Sequence, residues 1–275
     1  MKKVSIITVS YNNISGLQKT IESVLDQDAV GYEYLIIDGG STDGSVALLH
    51  KNTNKITYWI SEKDGGIYNA MNKGIAKATG EYLMFLNSGD YLVNRHVLAE
   101  CYDYLNNCPD ADILYGAVLL DIFADGISKE VIYSYPSPLD LKFLTNSTIN
   151  HQASLIKSSL FKEFGLYPEN YRIASDYWLF LTSLLQGKKY HYLDYPLVKY
   201  DTNGVSASGN YENYLIEKRL IWESLVPDYA KVMFKQNEEL ERDNADYKHI
   251  LGFKIVKAAI GFVKAGKAIK KSLNE

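Results

Sequence analysis

The stretch Ser61–Asp90, SEKDGGIYNAMNKGIAKATGEYLMFLNSGD, carries a glycine turn, an amphipathic helix, an apolar strand and an acid-tipped loop in immediate succession. Met71, Ile75 and Ala78 recur at helical spacing behind Gly66, so they form the buried face of a helix. Tyr82 to Leu86 is continuous and apolar, as a central parallel strand covered on both faces should be. In an α/β sheet, ligands bind beyond the carboxyl ends of the strands. Asp90 lies just past such an end, and Asp64 lies on the loop entering the helix. That placement suits a ligand that is anionic and associated with a metal.

The same alternation extends upstream. Val4 to Val9 reads as a first strand, Leu17, Ile21, Val24 and Leu25 as a helix, and Tyr34 to Ile37 as a second strand ending in Asp38. Ser41, Thr42 and Asp43 offer caps to a helix through Val46 and Leu49, and Ile56 to Ile60 is a third strand. This order predicts an α/β, Rossmann-like, mostly parallel sheet flanked by helices. Beyond residue 110 the order changes. A hairpin is expected around Asp125-Gly126, with helices over 158–164 and 175–186 and a short strand over 197–200. The expected division is 1–209 for the main domain, split into halves 1–95 and 96–209, and 210–275 for a helical C-terminal extension broken at Pro227.

Composition narrows the setting. A net charge of -4 gives no reason to expect nucleic acid as a partner. The 23 tyrosines are compatible with carbohydrate-facing surfaces and equally with ordinary core filling. Two cysteines, Cys101 and Cys108, without metal-ligand company argue for reduced thiols. The opening MKKVSIITVSYNN imitates a signal peptide, but its apolar run is too short for one. No stretch approaches the ~20 apolar residues of a membrane span. A cytoplasmic protein is expected. Between Leu251 and Leu273, lysines gather on one helical side and apolar residues on another. Such a helix would lie on the inner face of an anionic membrane, or pack its apolar side on protein.

Three polar loops follow the strands: Ser10-Tyr11-Asn12, Asp38 to Asp43, and Asn87 to Asp90. With VSIITVSYNN, Gln27, IIDGGSTDGS and Ser61–Asp90 in order, the chain resembles the family 2 glycosyltransferases of GT-A fold. The resemblance is close over residues 3–95 and continues through NHQASLIKSSLFKEFG, YRIASDYWLFL and KYDTNGVSAS, as in bacterial members that build surface polysaccharides.

That resemblance implies an inverting glycosyltransferase that moves a sugar from a nucleotide diphosphate sugar to a saccharide or lipid-linked acceptor. It places Ser10, Tyr11, Asn12, Asp38, Asp64 and Asn87 at the donor, and Asp90 at a Mg2+ or Mn2+ ion. It makes Asp176 the general base and sets His151 and the loop bearing Gly204 and Ser206 beside the reactants. Two departures stand out. Gly39 follows Asp38 where many members have a second acid, and Asn87-Ser88-Gly89-Asp90 replaces Asp-x-Asp-Asp. Asp176 fits helix capping as well as catalysis, and His151 fits a structural role as well as a contact. A binding or scaffold subunit without catalysis is the alternative that the two departures raise, and the non-basic SYNN argues against a nucleotidyltransferase.

Overall fold

The computed structural model describes residues 3–124, 127–201, 211–228, 230–237, 239–240 and 242, with backbone alone at 123–124 and 127–128. The Asp125-Gly126 turn, the loop with Gly204 and Ser206, and the basic tail from Leu251 lie outside the described residues. In chain order the elements are β1 (Val4–Ser10), α1 (Ile14–Leu25), β2 (Tyr32–Asp38), α2 (Ser45–Asn52), β3 (Tyr58–Ser61) and α3 (Ile67–Lys77). They continue with β4 (Tyr82–Phe85), β5 (Tyr91–Leu92), α4 (Val97–Asn107), β6 (Ile113–Ala124), β7 (Ile127–Tyr133) and α5 (Leu141–Asn146). A 3-10 turn (His151–Ala153) leads to β8 (Ser154–Lys157), α6 (Ser158–Glu163), α7 (Ser175–Leu185), β9 (Tyr190–Tyr200) and α8 (Tyr211–Leu225).

One sheet runs in the order β3-β2-β1-β4-β8-β6-β9-β5, with β7 paired to β6. The parallel order expected from the sequence holds for β3-β2-β1-β4. Beyond β4 directions are mixed: β8 runs antiparallel to β4 and β6, while β9 runs parallel to β6. Strand β8 escaped the sequence reading because four residues, SLIK, show no periodicity of their own. Its neighbour β4 is far upstream, and pairing, not pattern, makes it a strand.

The core explains the N-terminal order. Every residue of β1 is buried, and Leu17, Ile21 and Val24 of α1 and Met71 of α3 cover the strands. Three strand ends then open at one edge. Gly39 N–H donates to the Ser10 carbonyl at 2.8 Å, and Ser88 N–H to the Val9 carbonyl at 3.0 Å, which binds the loops after β1, β2 and β4 together.

The chain divides into two compact units, Met1–Leu225 and Val226–Glu275. Helix α8 belongs to the first. The reason is specific. The Glu217 carboxylate accepts from the backbone N–H groups of Arg172, Ile173 and Ala174 at 2.8, 2.9 and 3.0 Å, and Lys218 donates to the Ser147 carbonyl. Helix α8 ends at Leu225, just before the proline that the sequence reading had as a breaker, and in the second unit the backbone N–H groups of Ala230 and Lys231 donate to the Pro227 carbonyl, so a new helical turn starts there. Among the described residues no helix is long and apolar enough to cross a membrane.

Candidate active site

A cavity of about 880 Å³ opens at the carboxyl ends of β1 and β4. Ser10, Tyr11, Asp64, Asn87 and Asp90, the residues the sequence reading assigned to donor and metal, line it. Tyr11 is 65% exposed beside it. Asp64 accepts from the Gly66 N–H at 2.9 Å, which fixes its carboxylate at the mouth of α3. A Cβ on Gly39 would stand 2.7 Å from Asp64 Oδ2. Only glycine at 39 leaves Asp64 that position.

Asp38 and Asn12 are placed differently. Asp38 is fully buried, and its carboxylate accepts from the Ser41 N–H and Oγ–H, the Gly40 N–H and the Ser61 Oγ–H. Asp38 is not among the residues that line the cavity, and its carboxylate shapes the turn where the sequence reading expected a direct donor contact. Asn12 takes a left-handed conformation, φ 47°, which Asn tolerates better than most residues. There its N–H donates to Ser41 Oγ and its Oδ1 accepts from the Thr42 N–H. Asn12 thus holds the first two loops together instead of lining the cavity.

Asp90 is 3% exposed. Burial pushes its carboxyl up to about 6, against the opposing pull of the Asp201 N–H, of His151 and of the Gln152 side chain. Thr20 locks the loop from below, donating to the Asp90 carbonyl at 2.8 Å and accepting from the Gly89 N–H at 3.0 Å. The residues present fit a divalent cation. Asp90 faces the cavity, and the buried Asn87 Oδ1 and Ser10 Oγ have no hydrogen-bond partner. Oxygen donors of this kind suit Mg2+ or Mn2+. Among the described residues no three His, Cys, Asp or Glu gather as a full ligand set, so water and phosphate oxygens would have to complete the shell.

Behind the cavity wall sits a buried relay. Asp176, 9% exposed in the first turn of α7, accepts from His151 Nδ1 at 2.8 Å, from the Tyr68 hydroxyl at 3.1 Å and from the Tyr177 N–H at 2.8 Å. With Nδ1–H given to Asp176, His151 Nε2 is left as acceptor for the Asn87 amide at 3.3 Å. Tyr68 and Asn87 line the cavity in front of these two residues. Asp176 does not act as the simple helix cap that its position allows. Its carboxylate ties α7 to α3 and to the 3-10 turn, and its side chain keeps 13% of its surface open.

Neighbouring side chains serve the architecture. Tyr177 is fully buried and its hydroxyl donates to the Leu144 carbonyl, and the partly buried Trp178 packs on the core. Lys73 pairs with Glu62 at 2.6 Å on the surface. Asn72 holds Tyr167 and Glu169. Sequence reasoning missed Gln152, Glu169, Tyr171, Arg172, Asp201 and Glu217 of the cavity wall. Gln152 and Asp201 stood inside quoted motifs, next to His151 and at the head of DTNGVS, so adjacency was the available signal.

A half-parallel sheet whose strand ends cradle an acid-edged cavity defines a GT-A type of transferase fold. Residues 5–163 match Glycosyl transferase family 2, and the chain belongs to that family of glycosyltransferases. An uncharacterized glycosyltransferase of Mycobacterium tuberculosis, Rv1514c, is 37% identical over 207 residues, 74% of this chain and 77% of that protein. A PGL/p-HBAD biosynthesis glycosyltransferase of Mycobacterium bovis is 28% identical over 63% of this chain and 66% of its own. Among solved structures, S. aureus TarS 1-349 in complex with UDP-GlcNAc superposes with TM-score 0.63 at 20% identity, covering 80% of this chain and 65% of that one. The chain spans 39% of the longer TarS structure. Pyrobaculum calidifontis PcManGT in complex with GDP-Man and Mn2+ gives TM-score 0.54 at 16% identity, over 70% of this chain and 55% of that one.

Proposed function

We propose that this glycosyltransferase takes a sugar from a nucleotide diphosphate sugar and transfers it, with inversion, to a saccharide or lipid-linked saccharide in cell-surface polysaccharide synthesis. The observation that carries the reading is the cavity itself, large enough for a nucleotide sugar and edged by Asp64 and Asp90 at the carboxyl ends of the parallel strands. Ser10, Tyr11, Asp64 and Asn87 hold the donor, and Asp38 and Asn12 keep the loops that present them. Asp90 is the residue that would hold Mg2+ or Mn2+; the ion, when bound, offsets the charge of the departing diphosphate.

Asp176 takes the proton of the acceptor hydroxyl as that oxygen attacks the anomeric carbon from the side opposite the diphosphate. His151 and Tyr68 hold its carboxylate in place. Tyr171 and Arg172, from the segment before α7, and Asn213 and Ile216, from α8, also line the cavity and form the acceptor side. The lipid-linked acceptor agrees with a peripheral position on the inner face of the membrane through the basic tail.

The test is turnover by the full chain with a panel of UDP- and GDP-sugars and Mn2+ or Mg2+, read as released nucleoside diphosphate, followed by NMR of the product's anomeric centre. Release with at least one donor and inverted configuration is expected. Nucleotide binding without any hydrolysis or transfer would sink the enzymatic reading, and a retained configuration would sink the role given to Asp176.

A further inference from the structure

The loop Asn87-Ser88-Gly89-Asp90 looks short of acid along the chain, yet it is not short of acid in space. Gly89 has φ +111°, and a Cβ built on it would stand 2.7 Å from Asp201 Oδ2 and 3.4 Å from Asp201 Cβ. The carboxylate of Asp201, just past the end of β9, therefore occupies the volume in which a side chain at position 89 would begin. The same residue is fastened to the loop through its backbone, since the Asp201 N–H donates to Asp90 Oδ1 at 2.8 Å. Both carboxylates line the one cavity.

A second, independent observation points to a ligand at this place. Ser10, 6% exposed at the end of β1, lines the same cavity with its Oγ buried and without a partner. Asn87 Oδ1, on the acid loop itself, is in the same state. Buried polar atoms are almost always satisfied in folded proteins, so orphans on residues that line the same cavity as the carboxylate pair mark where something polar binds.

We propose that Asp201 is the second carboxylate of the divalent-cation site: Asp90 and Asp201 together hold Mg2+ or Mn2+ against the donor diphosphate, with Asp201 standing in for a side chain that Gly89 does not have. The assignment rests on the donor reading above. It explains why the loop can carry glycine at 89 without losing the negative charge that a diphosphate-bound cation requires. Mg2+ and Mn2+ are commonly held by one or two carboxylates plus phosphate oxygens and water, and the pair supplies that number.

The experiment measures Mn2+ binding to the full chain by electron paramagnetic resonance, with and without UDP, for the wild type, Asp90→Asn and Asp201→Asn. Asp201→Asn is isosteric and leaves the backbone N–H that ties it to Asp90, so the loop should keep its course; thermal melting and UDP affinity in EDTA check that it does. Each variant should lose at least about tenfold in Mn2+ affinity in the presence of UDP, because even outer-shell partners of a metal ligand are worth about 10–100-fold. Loss in Asp90→Asn with wild-type affinity in Asp201→Asn would overturn the proposal and leave the Asp90 site standing. Wild-type protein that binds no Mn2+ yet turns over a nucleotide sugar would overturn both metal assignments while the transferase reading survives.

Discussion

Asp176→Asn separates chemistry from architecture at the buried relay. The carboxylate accepts three hydrogen bonds, from His151 Nδ1, Tyr68 and the Tyr177 N–H. Asparagine keeps one acceptor oxygen for Tyr68 and Tyr177. Its amide nitrogen then faces His151, which can present a lone pair at Nδ1 by changing tautomer. The structural loss is about one charge-assisted hydrogen bond, about 1–3 kcal/mol of stability. The proton acceptor is lost outright, and general-base catalysis is worth about 10²–10⁴ in rate, or about 3–5 kcal/mol of activation free energy. The assay is released nucleoside diphosphate at saturating donor and acceptor, paired with thermal unfolding by circular dichroism. A folded variant with its donor KM preserved and kcat down by that factor is expected. A kcat within about tenfold of wild type, with only the melting temperature lowered, would refute the base assignment and leave Asp176 a strut between α3 and α7.

Three further outcomes follow from named contacts. Asp90 has a folded-state pKa raised to about 6 by burial, so its stabilising contribution is complete below its ordinary carboxylate range and is lost as pH rises through 6. Metal-free Asp90→Asn at pH 7.5 should therefore melt higher than wild type, by up to about 3 kcal/mol, while losing activity; an unchanged or lower melting temperature would show that the buried carboxylate is not under strain. Gly39→Ala puts a Cβ 2.7 Å from Asp64 Oδ2, so the donor KM should rise about tenfold, or about 1.4 kcal/mol, with kcat held; an unaltered KM would remove Asp64 from donor binding. Burial lowers the Lys218 pKa to about 8, so its ammonium costs stability below that pH, a cost relieved as pH rises toward its ordinary value. Lys218→Met should be more stable than wild type at pH 7 by at most about 3 kcal/mol, less about 1 for the bond to the Ser147 carbonyl. That gain should shrink when unfolding is measured between pH 8 and 10; a gain constant over that range would contradict the account.

Much of the N-terminal half is legible in the chain because its determinants are local. Apolar runs make β1, β2 and β4, helical spacing makes α1 and α3, and Asp64 and Asp90 follow strand ends within a few residues. The rest depends on contacts between distant segments. Strand β8 exists because Leu83 and Met84 of β4 pair with Ile156 and Leu155. The approach to Asp176 is held by Glu217 from another helix. Asp38 looks like a ligand-facing acid because it ends a strand, and only the positions of Ser41 and Ser61 show that its carboxylate is already occupied.

The two departures from the family pattern teach the same lesson more sharply. At 39 and at 89 the chain carries glycine where the family resemblance led to the expectation of an acid. In both places a carboxylate from another segment, Asp64 or Asp201, comes within 2.7 Å of where the missing side chain would start. Glycine is what permits that approach, since any Cβ would displace the incoming oxygen. A motif counts acids along the chain, whereas a diphosphate and its cation respond to oxygen atoms in space. By that measure the loops after β2 and β4 keep their negative charge, and Gly89→Ala, which sets a Cβ against Asp201 Oδ2 at a φ of +111°, should cost at least as much Mn2+ affinity as Asp201→Asn, about tenfold. Wild-type Mn2+ affinity in Gly89→Ala would mean that Asp201 does not need the room that glycine leaves.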